Sequence, residues 1–350
     1  MRETRPRVAV IPGDDAAPEA MAATLRVLDA LAPPVAWERL PPGTELARLP
    51  YPEREAFVNA RIDAADSVLF GSTNGTTPGI LHLRWGRETF ANVRPIRWRE
   101  GFRSPLARPE GIDYVIVREN LEDLYVGVMG ELGALLEAGL AGPHARLPRA
   151  REGRFAAKVI TRAGTERVAR FACALAARRR GKLTVSAKTN MLPATDRYFC
   201  DVAREIAEES GGLSFEALIV DDLANRLVAR PQDFDVVLLP NLYGDVLSDE
   251  GAATIGGLGL APSGCYGEGF AYFESAHGTA PDLAGQDRIN PTATLLSAAM
   301  LLEHLGLEVY ARRLDAALSR VYAKGETLTR DQGGSASTRA FADAVIEALV

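Results

Sequence analysis

Apolar residues in this chain gather in short unbroken runs. Arg7 to Ile11 (RVAVI), Ser67 to Phe70 (SVLF), Ile112 to Val117 (IDYVIV), Leu183 to Ser186 (LTVS) and Phe234 to Leu239 (FDVVLL) show little of the in–out alternation of a half-exposed sheet. Runs of this kind predict strands covered on both faces. Between them lie segments with apolar residues at helical spacing: Pro18 to Leu31, Thr165 to Arg180, Ala194 to Ser210 and Thr292 to Gly306. Strands alternating with helices predict an α/β fold with a largely parallel sheet. Two stretches break the pattern. Ala32 to Tyr51 is rich in proline and reads as irregular, while Gly130 to Gly153 reads as an inserted arm. No GxGxxG follows a strand, and Gly256, Gly257 and Gly259 have the wrong spacing. An ordinary Rossmann phosphate loop is therefore not expected.

Composition narrows the picture. The chain has 350 residues, 47% of them apolar, enough for one large core or two coupled domains. A formal net charge of −6 gives no general attraction to nucleic acid or to anionic membrane. Any anionic ligand must then be caught by local arginines. Cys173, Cys200 and Cys265 stand isolated, as expected of reduced structural residues in a cytoplasmic protein. Met1 to Pro6 is charged and lacks an apolar signal core, and no run of ~18 apolar residues is present, so no membrane span is expected.

Candidate chemistry lies at the ends of the predicted strands. Asn241-Leu-Tyr-Gly-Asp-Val-Leu-Ser-Asp249 follows the Phe234–Leu239 run. Asp245 and Asp249 are four apart, so a helix starting here puts both carboxylates on one face. Two like charges so placed repel unless a cation sits between them. All-oxygen ligation favours Mg2+ or Mn2+ over zinc. Helix capping by Asp245, with Asp249 in solvent, accounts for the spacing equally well. Asp221, after a short apolar run, is a third possible ligand.

Arg84 and Arg94 lie ten residues apart in LRWGRETFANVRP, and Arg118 ends the Ile112–Val117 run. Guanidinium forks suit carboxylates, and three that converge would suit a di- or tricarboxylic acid. Each alone reads more simply as a surface salt bridge. Lys188 follows the Leu183–Ser186 run, and a lysine near a metal can have its pKa lowered enough to move a proton at neutral pH. Tyr125 is a possible acid. His277-Gly278-Thr279-Ala280-Pro281-Asp282-Leu283 belongs to a loop that can offer backbone N–H groups to a pyrophosphate. Asp282 can accept from the ribose hydroxyls of NAD and repel the extra phosphate of NADP. Asn290 then opens, with Pro291, the last long apolar helix.

These segments together resemble the β-decarboxylating dehydrogenases: isopropylmalate, isocitrate, homoisocitrate and D-malate/tartrate dehydrogenases. IPGD near residue 11, LR…ANVRP, VREN, the KTN segment, NLYGDVLSD, HGTAPDLAG and GGSAST near residue 333 follow one another in the family's order. The resemblance implies two α/β domains with a cleft between them, distinct from the Rossmann fold. Residues 1–98 and 252–350 would form the larger domain, with the NAD site. Residues 99–251 would form the smaller one, with the dimer interface and the arm at about 130–153. It also implies that Arg84, Arg94 and Arg118 clamp the malate carboxylates and that Asp221, Asp245 and Asp249 bind Mg2+ or Mn2+. Lys188 would take the hydroxyl proton and Tyr125 would protonate the enol. His277 to Leu283, with Asn290, would hold NAD. In the family the lysine and one aspartate cross from the partner subunit, which implies a homodimer with shared active sites, or a higher oligomer, acting on a small-molecule substrate.

Two departures stand out. The family's GDGIGPE is here Gly13-Asp-Asp-Ala-Ala-Pro-Glu19, which should stiffen or reshape that loop. The arm, with Leu132, Leu135, Leu136 and Leu140, looks more helical than the strand pair usual there. Isocitrate-type members carry Ser and Asn six and four residues before the first clamp arginine, where this chain has Pro78 and Ile80. The apolar Ile80-Leu81 pair suits an alkyl or aryl group on C3 of a (2R)-malate, as in 3-isopropylmalate. D-malate/tartrate and isocitrate/homoisocitrate remain alternatives. So does a non-catalytic regulatory subunit, although such copies usually lack one of the charged residues present here.

Overall fold

The computed structural model describes residues 5–140 and 152–349. Strands β1 (Arg7–Ile11), β2 (Ala36–Arg39), β3 (Ser67–Phe70), β4 (Ala91–Arg97), β5 (Asp113–Glu119), β6 (Met129–Glu131) and β7 (Arg154–Ala156) come first. They are followed by β8 (Lys182–Ala187), β9 (Ser214–Ile219), β10 (Val236–Leu239), β11 (Pro262–Tyr266) and β12 (Ala271–Ser275). The helices are α1 (Ala17–Leu31), α2 (Gly43–Leu46), α3 (Tyr51–Asp63), α4 (Leu132–Glu137), α5 (Arg162–Ala177) and α6 (Tyr198–Ser210). After these come α7 (Val220–Ala229), α8 (Asn241–Ile255), α9 (Thr292–His304), α10 (Glu308–Lys324) and α11 (Thr338–Glu347). None is long and apolar enough to cross a membrane.

Ten strands form one sheet in the order β2-β1-β3-β12-β11-β4-β5-β10-β8-β9. Both wings are parallel: β2, β1, β3 and β12 on one side, and β5, β10, β8 and β9 on the other. The centre is antiparallel, from β12 through β11 and β4 to β5. Parallel neighbours need helical crossovers, and these cover the wings on both faces. The apolar pattern does not reveal the centre, because β4 and β11 carry Asn92, Arg94, Ser263 and Gly264, which interrupt any apolar run. Ala32–Tyr51 is also more ordered than its prolines suggest, since it holds β2 and α2. The arm combines both readings, with α4 lying between β6 and β7, which pair antiparallel; residues 141–151 of it lie outside the described residues.

One wing, with β4 and β11, is built from residues 7–97 and 262–275, and the other from residues 113–239. The two therefore meet along β4–β5. Helix α8 lies against both strands and turns small residues toward them. Gly244 lies so close to Arg118 that a Cβ would sit 2.6 Å from that side chain, and at Gly251 it would sit 2.6 Å from the Tyr114 hydroxyl.

A second close approach ties the β4–β5 connection to α10. Gly101 has φ +89°, and a Cβ there would lie 2.1 Å from the Tyr322 carbonyl oxygen. Gly101→Ala combines a disfavoured backbone with a clash against main chain, each costing on the order of 1–3 kcal/mol. The urea midpoint should fall with m unchanged; an unaltered midpoint would show that the turn rebuilds freely.

Candidate active site

The register at the sheet centre brings the arginines together. Asn92 pairs with Arg118 on β5 and with Cys265 on β11, and Cys265 pairs with Tyr272 on β12. Two residues further along, Arg94 stands diagonal to Arg118 on the same face, and Glu274 pairs with Ser263. Diagonal same-face neighbours are within reach of long side chains. Arg94 Nε donates to Asn92 Oδ1 at 2.9 Å, and Asn92 Nδ2 donates to Ser263 Oγ at 3.0 Å. Arg84 enters from a π-helical turn, His82–Gly86, a widened turn often found at functional sites.

Carboxylates balance this charge. Arg118 donates to Asp245 Oδ1, and its Nε and second NH group both bond Asn241 Oδ1, at 2.9 and 2.6 Å. Arg94 lies 3.4 Å from Asp245 and 3.3 Å from Asp249, and it also donates to Ser248 Oγ at 2.6 Å. Burial, and Arg94 beside it, bring the Arg118 pKa down to about 10. Glu274 lies beneath the group: burial pushes its carboxyl up, while Arg84, Arg94 and Arg118 all pull it down. Tyr272 and Glu274 in turn hold the Arg84 pKa above its usual value against the opposing effect of burial. Arg84 Nε is buried and without a hydrogen-bond partner.

Tyr125 donates to Asp245 Oδ2 at 3.1 Å. Burial and the Asp245 charge raise its pKa, which keeps the proton on the phenol. Burial, and Asp245 beside it, likewise raise the Asp249 pKa. Two carboxylates four apart on one helix face are a donor pair that a divalent cation would suit. The capping alternative for Asp245 fails. The residue before α8 is Pro240, Asp245 lies within the helix, and the Leu242 N–H is bound by Asp123 Oδ2 at 2.9 Å.

Lys188 and Asp221 form a pair of their own at 2.5 Å, with the Asp221 side chain 66% exposed. Neither has an ion pair to the Arg–Asp cluster. Among the described residues no three His, Cys, Asp or Glu side chains of one chain converge closely enough to hold a metal. Of the apolar pair, Ile80 packs partly into the core with Val58, Ile62 and Phe70, whereas Leu81 is 57% exposed. Trp85, which carries no signal in the sequence, is 39% exposed, and its indole N–H donates to the Leu121 carbonyl at 3.1 Å.

A pocket of about 620 Å³ lies beside the loop after β12. His277, Gly278, Ala280, Leu283 and Asn290 line it, joined by Leu258, Gly259, Arg288, Ile289, Arg330 and Asp331. His277 Nε2 is buried without a partner, while its Nδ1 lies 2.8 Å from the Gly278 carbonyl. Burial lowers the His277 pKa, so the ring is neutral and Nε2 is a free acceptor. Thr279, Pro281 and Asp282 are not in the lining. The Thr279 carbonyl accepts from Ala16 N–H at 3.0 Å, fastening the loop to the Gly13–Glu19 segment, and Asp282 is exposed. Asn290 is tied into the fold through Asp331, Tyr322 and the Thr292 N–H.

Sequence reasoning does not pick out Glu274, Asn241 or Ser248. For Glu274 a signal exists, as a lone carboxylate in a fully buried strand, AYFES.

Known proteins share this arrangement of the chain. Residues 7–345 match the family model described as isocitrate/isopropylmalate dehydrogenase. The chain is 38% identical over 350 residues to the 3-isopropylmalate/3-methylmalate dehydrogenase of Methanocaldococcus jannaschii, covering 97% of each protein. It is also 38% identical over 351 residues to the isocitrate/homoisocitrate dehydrogenase of Thermus thermophilus, covering 98% of each. A solved isocitrate dehydrogenase from Methylococcus capsulatus superposes with a TM-score of 0.84 at 32% identity, over 98% of this chain and 99% of that one.

Gly244→Ala tests the packing behind the cluster. The added methyl would meet Arg118 near its backbone, where it cannot swing aside. Overpacking of this kind costs about 1–3 kcal/mol. Anion affinity, measured by calorimetry with a dicarboxylate, should fall about tenfold or more. Unchanged affinity would show that Arg118 is free to shift.

Proposed function

This chain belongs to the isocitrate/isopropylmalate dehydrogenase family, and we propose that it oxidises and decarboxylates a 3-substituted (2R)-malate with NAD and a divalent metal. Its fold is the two-domain α/β fold of that family, not a Rossmann fold. We take residues 1–98 with 252–350 as the larger domain and 99–251 as the smaller, so that β4–β5 is their seam.

The observation that carries the reading is the convergence of Arg94 and Arg118 on Asp245 and Asp249, with Arg84 held beside them by Tyr272 and Glu274. Three guanidiniums face Asp245, Asp249 and Glu274, the last with its carboxyl pushed up by burial. A divalent cation at the aspartates would add two positive charges, which favours a dicarboxylate. Asp245 and Asp249, with Asp221 of a second copy, would hold Mg2+ or Mn2+, which supplies Lewis acidity to the substrate oxygens. NAD in the pocket beside His277 would supply the hydride acceptor. The free Nε2 of His277 suits a base amine, and exposed Asp282 suits ribose hydroxyls. The residues of the chain do the rest. Arg84, Arg94 and Arg118 fix the carboxylates, Lys188 takes the proton from the 2-hydroxyl, and Tyr125 gives its proton to C3 once CO2 has left.

The C3 substituent is read from Leu81, with Ile80 behind it. Burying a methylene is worth roughly 0.8 kcal/mol, so an isopropyl group gains ~2–3 kcal/mol over plain malate, on the order of a hundredfold in specificity. The third carboxylate of isocitrate would be desolvated against Leu81. kcat/KM with NAD and Mn2+ should therefore fall in the order 3-alkylmalate, D-malate, isocitrate, and EDTA should abolish turnover reversibly. Isocitrate in first place overturns the substrate reading, and full activity in EDTA overturns the metal reading.

Lys188 and Asp221 pair apart from the Arg–Asp cluster, which supports a homodimer in which each chain lends them to the other's site. Lys188→Ala and Asp245→Asn homodimers should both be inactive. Mixed after denaturation and refolding, the two should recover about a quarter of wild-type activity, through the mixed dimers that keep one intact site. No recovery would mean that each site draws on a single chain.

A further inference from the structure

Lys158, one of only four lysines in the chain, has no part in the chemistry described above. Its ammonium lies 2.5 Å from Asp196 Oδ1 and 3.4 Å from Asp123 Oδ1, and both aspartates are fully buried. It also sits 4.4 Å above the Tyr243 ring. Each aspartate spends its second oxygen on a backbone N–H: Asp196 Oδ2 holds that of Lys188 at 2.7 Å, and Asp123 Oδ2 that of Leu242 at 2.9 Å. Asp123 stands two residues before Tyr125 and has φ +68°, a left-handed conformation disfavoured for a side chain with a Cβ. The Asp123 N–H bonds the Val159 carbonyl at 2.8 Å, and the Thr161 N–H bonds the Glu122 carboxylate at 2.8 Å.

Three segments therefore end on one buried cation: the turn that presents Tyr125, the strand end that presents Lys188, and the start of the helix that presents Asp245. We infer that Lys158 is a positioning residue that holds Tyr125 and Lys188 in their working places together, as the shared counter-ion of Asp123 and Asp196. A buried carboxylate that loses its cation must protonate, move or admit water. Either aspartate would then release its N–H, and the strained backbone at Asp123 would relax and draw the Tyr125 hydroxyl away from Asp245. The arginine clamp would be spared, because Arg84, Arg94 and Arg118 are fixed by the π-turn, β4 and β5. The inference deepens the proposed function: Lys158 would link the Tyr125 of one site to the Lys188 lent to the other.

Two measurements test it. In amide hydrogen exchange of the whole protein, Lys158→Met should speed exchange at residues 120–126 and 188–192 together by tenfold or more, leaving β4 and β5 unchanged. This readout needs no substrate. In steady-state assays with the best 3-alkylmalate, NAD and Mn2+, Lys158→Met should lower kcat at least thirtyfold with KM within about threefold. Lys158→Arg, whose two forks can reach both aspartates, should stay within about fivefold of wild type. If Lys158→Met fails to fold, Lys158→Gln, which keeps an uncharged NH2 donor, takes its place in both. Exchange that rises in one segment only, or in neither, overturns the inference, as does a kcat per folded enzyme that stays at the wild-type value. A wild-type enzyme without turnover on any 2-hydroxy acid would instead sink the proposed function, and the exchange data would still decide the role of Lys158.

Discussion

Everything in this molecule is arranged around the cost of holding three guanidinium groups close together away from water. Two like charges 4 Å apart repel by on the order of 4 kcal/mol at the effective dielectric of a protein surface, and burial adds desolvation. Burial first, and Arg94 and Arg84 beside it, lower the Arg118 pKa, in keeping with that cost. It is offset from two sides. Glu274 lies in the sheet beneath the arginines, and Asp245 and Asp249 approach on α8 from above. The layer below is permanent, while the layer above is what a metal and substrate would claim. The same balance therefore holds the cluster together and prepares it for an anionic ligand.

The sheet makes this arrangement possible through its antiparallel centre. A wholly parallel sheet would place helices over both faces and bury its middle strands as apolar runs. Here β4 and β11 run against their neighbours, and β4 brings Arg94 to the diagonal of Arg118. Small residues on α8 let the helix press onto that face, with Gly244 against Arg118 and Gly251 against Tyr114. Ser248 lies between them and takes a hydrogen bond from Arg94. Helix spacing then sets Asp245 and Asp249 one residue beyond Gly244 and Ser248. Packing and chemistry thus use adjacent positions of one helix, which makes the site sensitive to a single methyl group.

Strands β1, β3, β5, β8 and β10 are legible in the sequence as unbroken apolar runs, because burial on both faces demands them, whereas the edge strands β2 and β9 are half-exposed and are not. Arg84, Arg94, Arg118, Tyr125, Asp245 and Asp249 stand out by residue type and spacing, Arg118 near the end of one apolar run and Asp245 and Asp249 four apart after another, although Arg94 lies within β4 and both aspartates within α8. Less visible are residues whose charge is internal. Glu274 and Lys158 lie among apolar neighbours, and only the partners reveal what they compensate. Ile80 and Leu81 look equivalent in sequence, yet packing gives one to the core and leaves the other exposed.

The sequence by itself determined the α/β class, the positions of five of the eight wing strands and the residue types from which the candidate site is drawn. These follow from local periodicity, and from residue types whose chemistry does not depend on context. Tertiary structure decided the reversal of direction at the sheet centre and the split of the charged residues into an Arg–Asp cluster and a separate Lys188–Asp221 pair. It also decided which buried ions answer one another. These are relations between residues distant in the chain, from 33 positions for Lys188 and Asp221 to 155 for Arg94 and Asp249. Strand register and helix packing set them, and no local pattern in the chain records either.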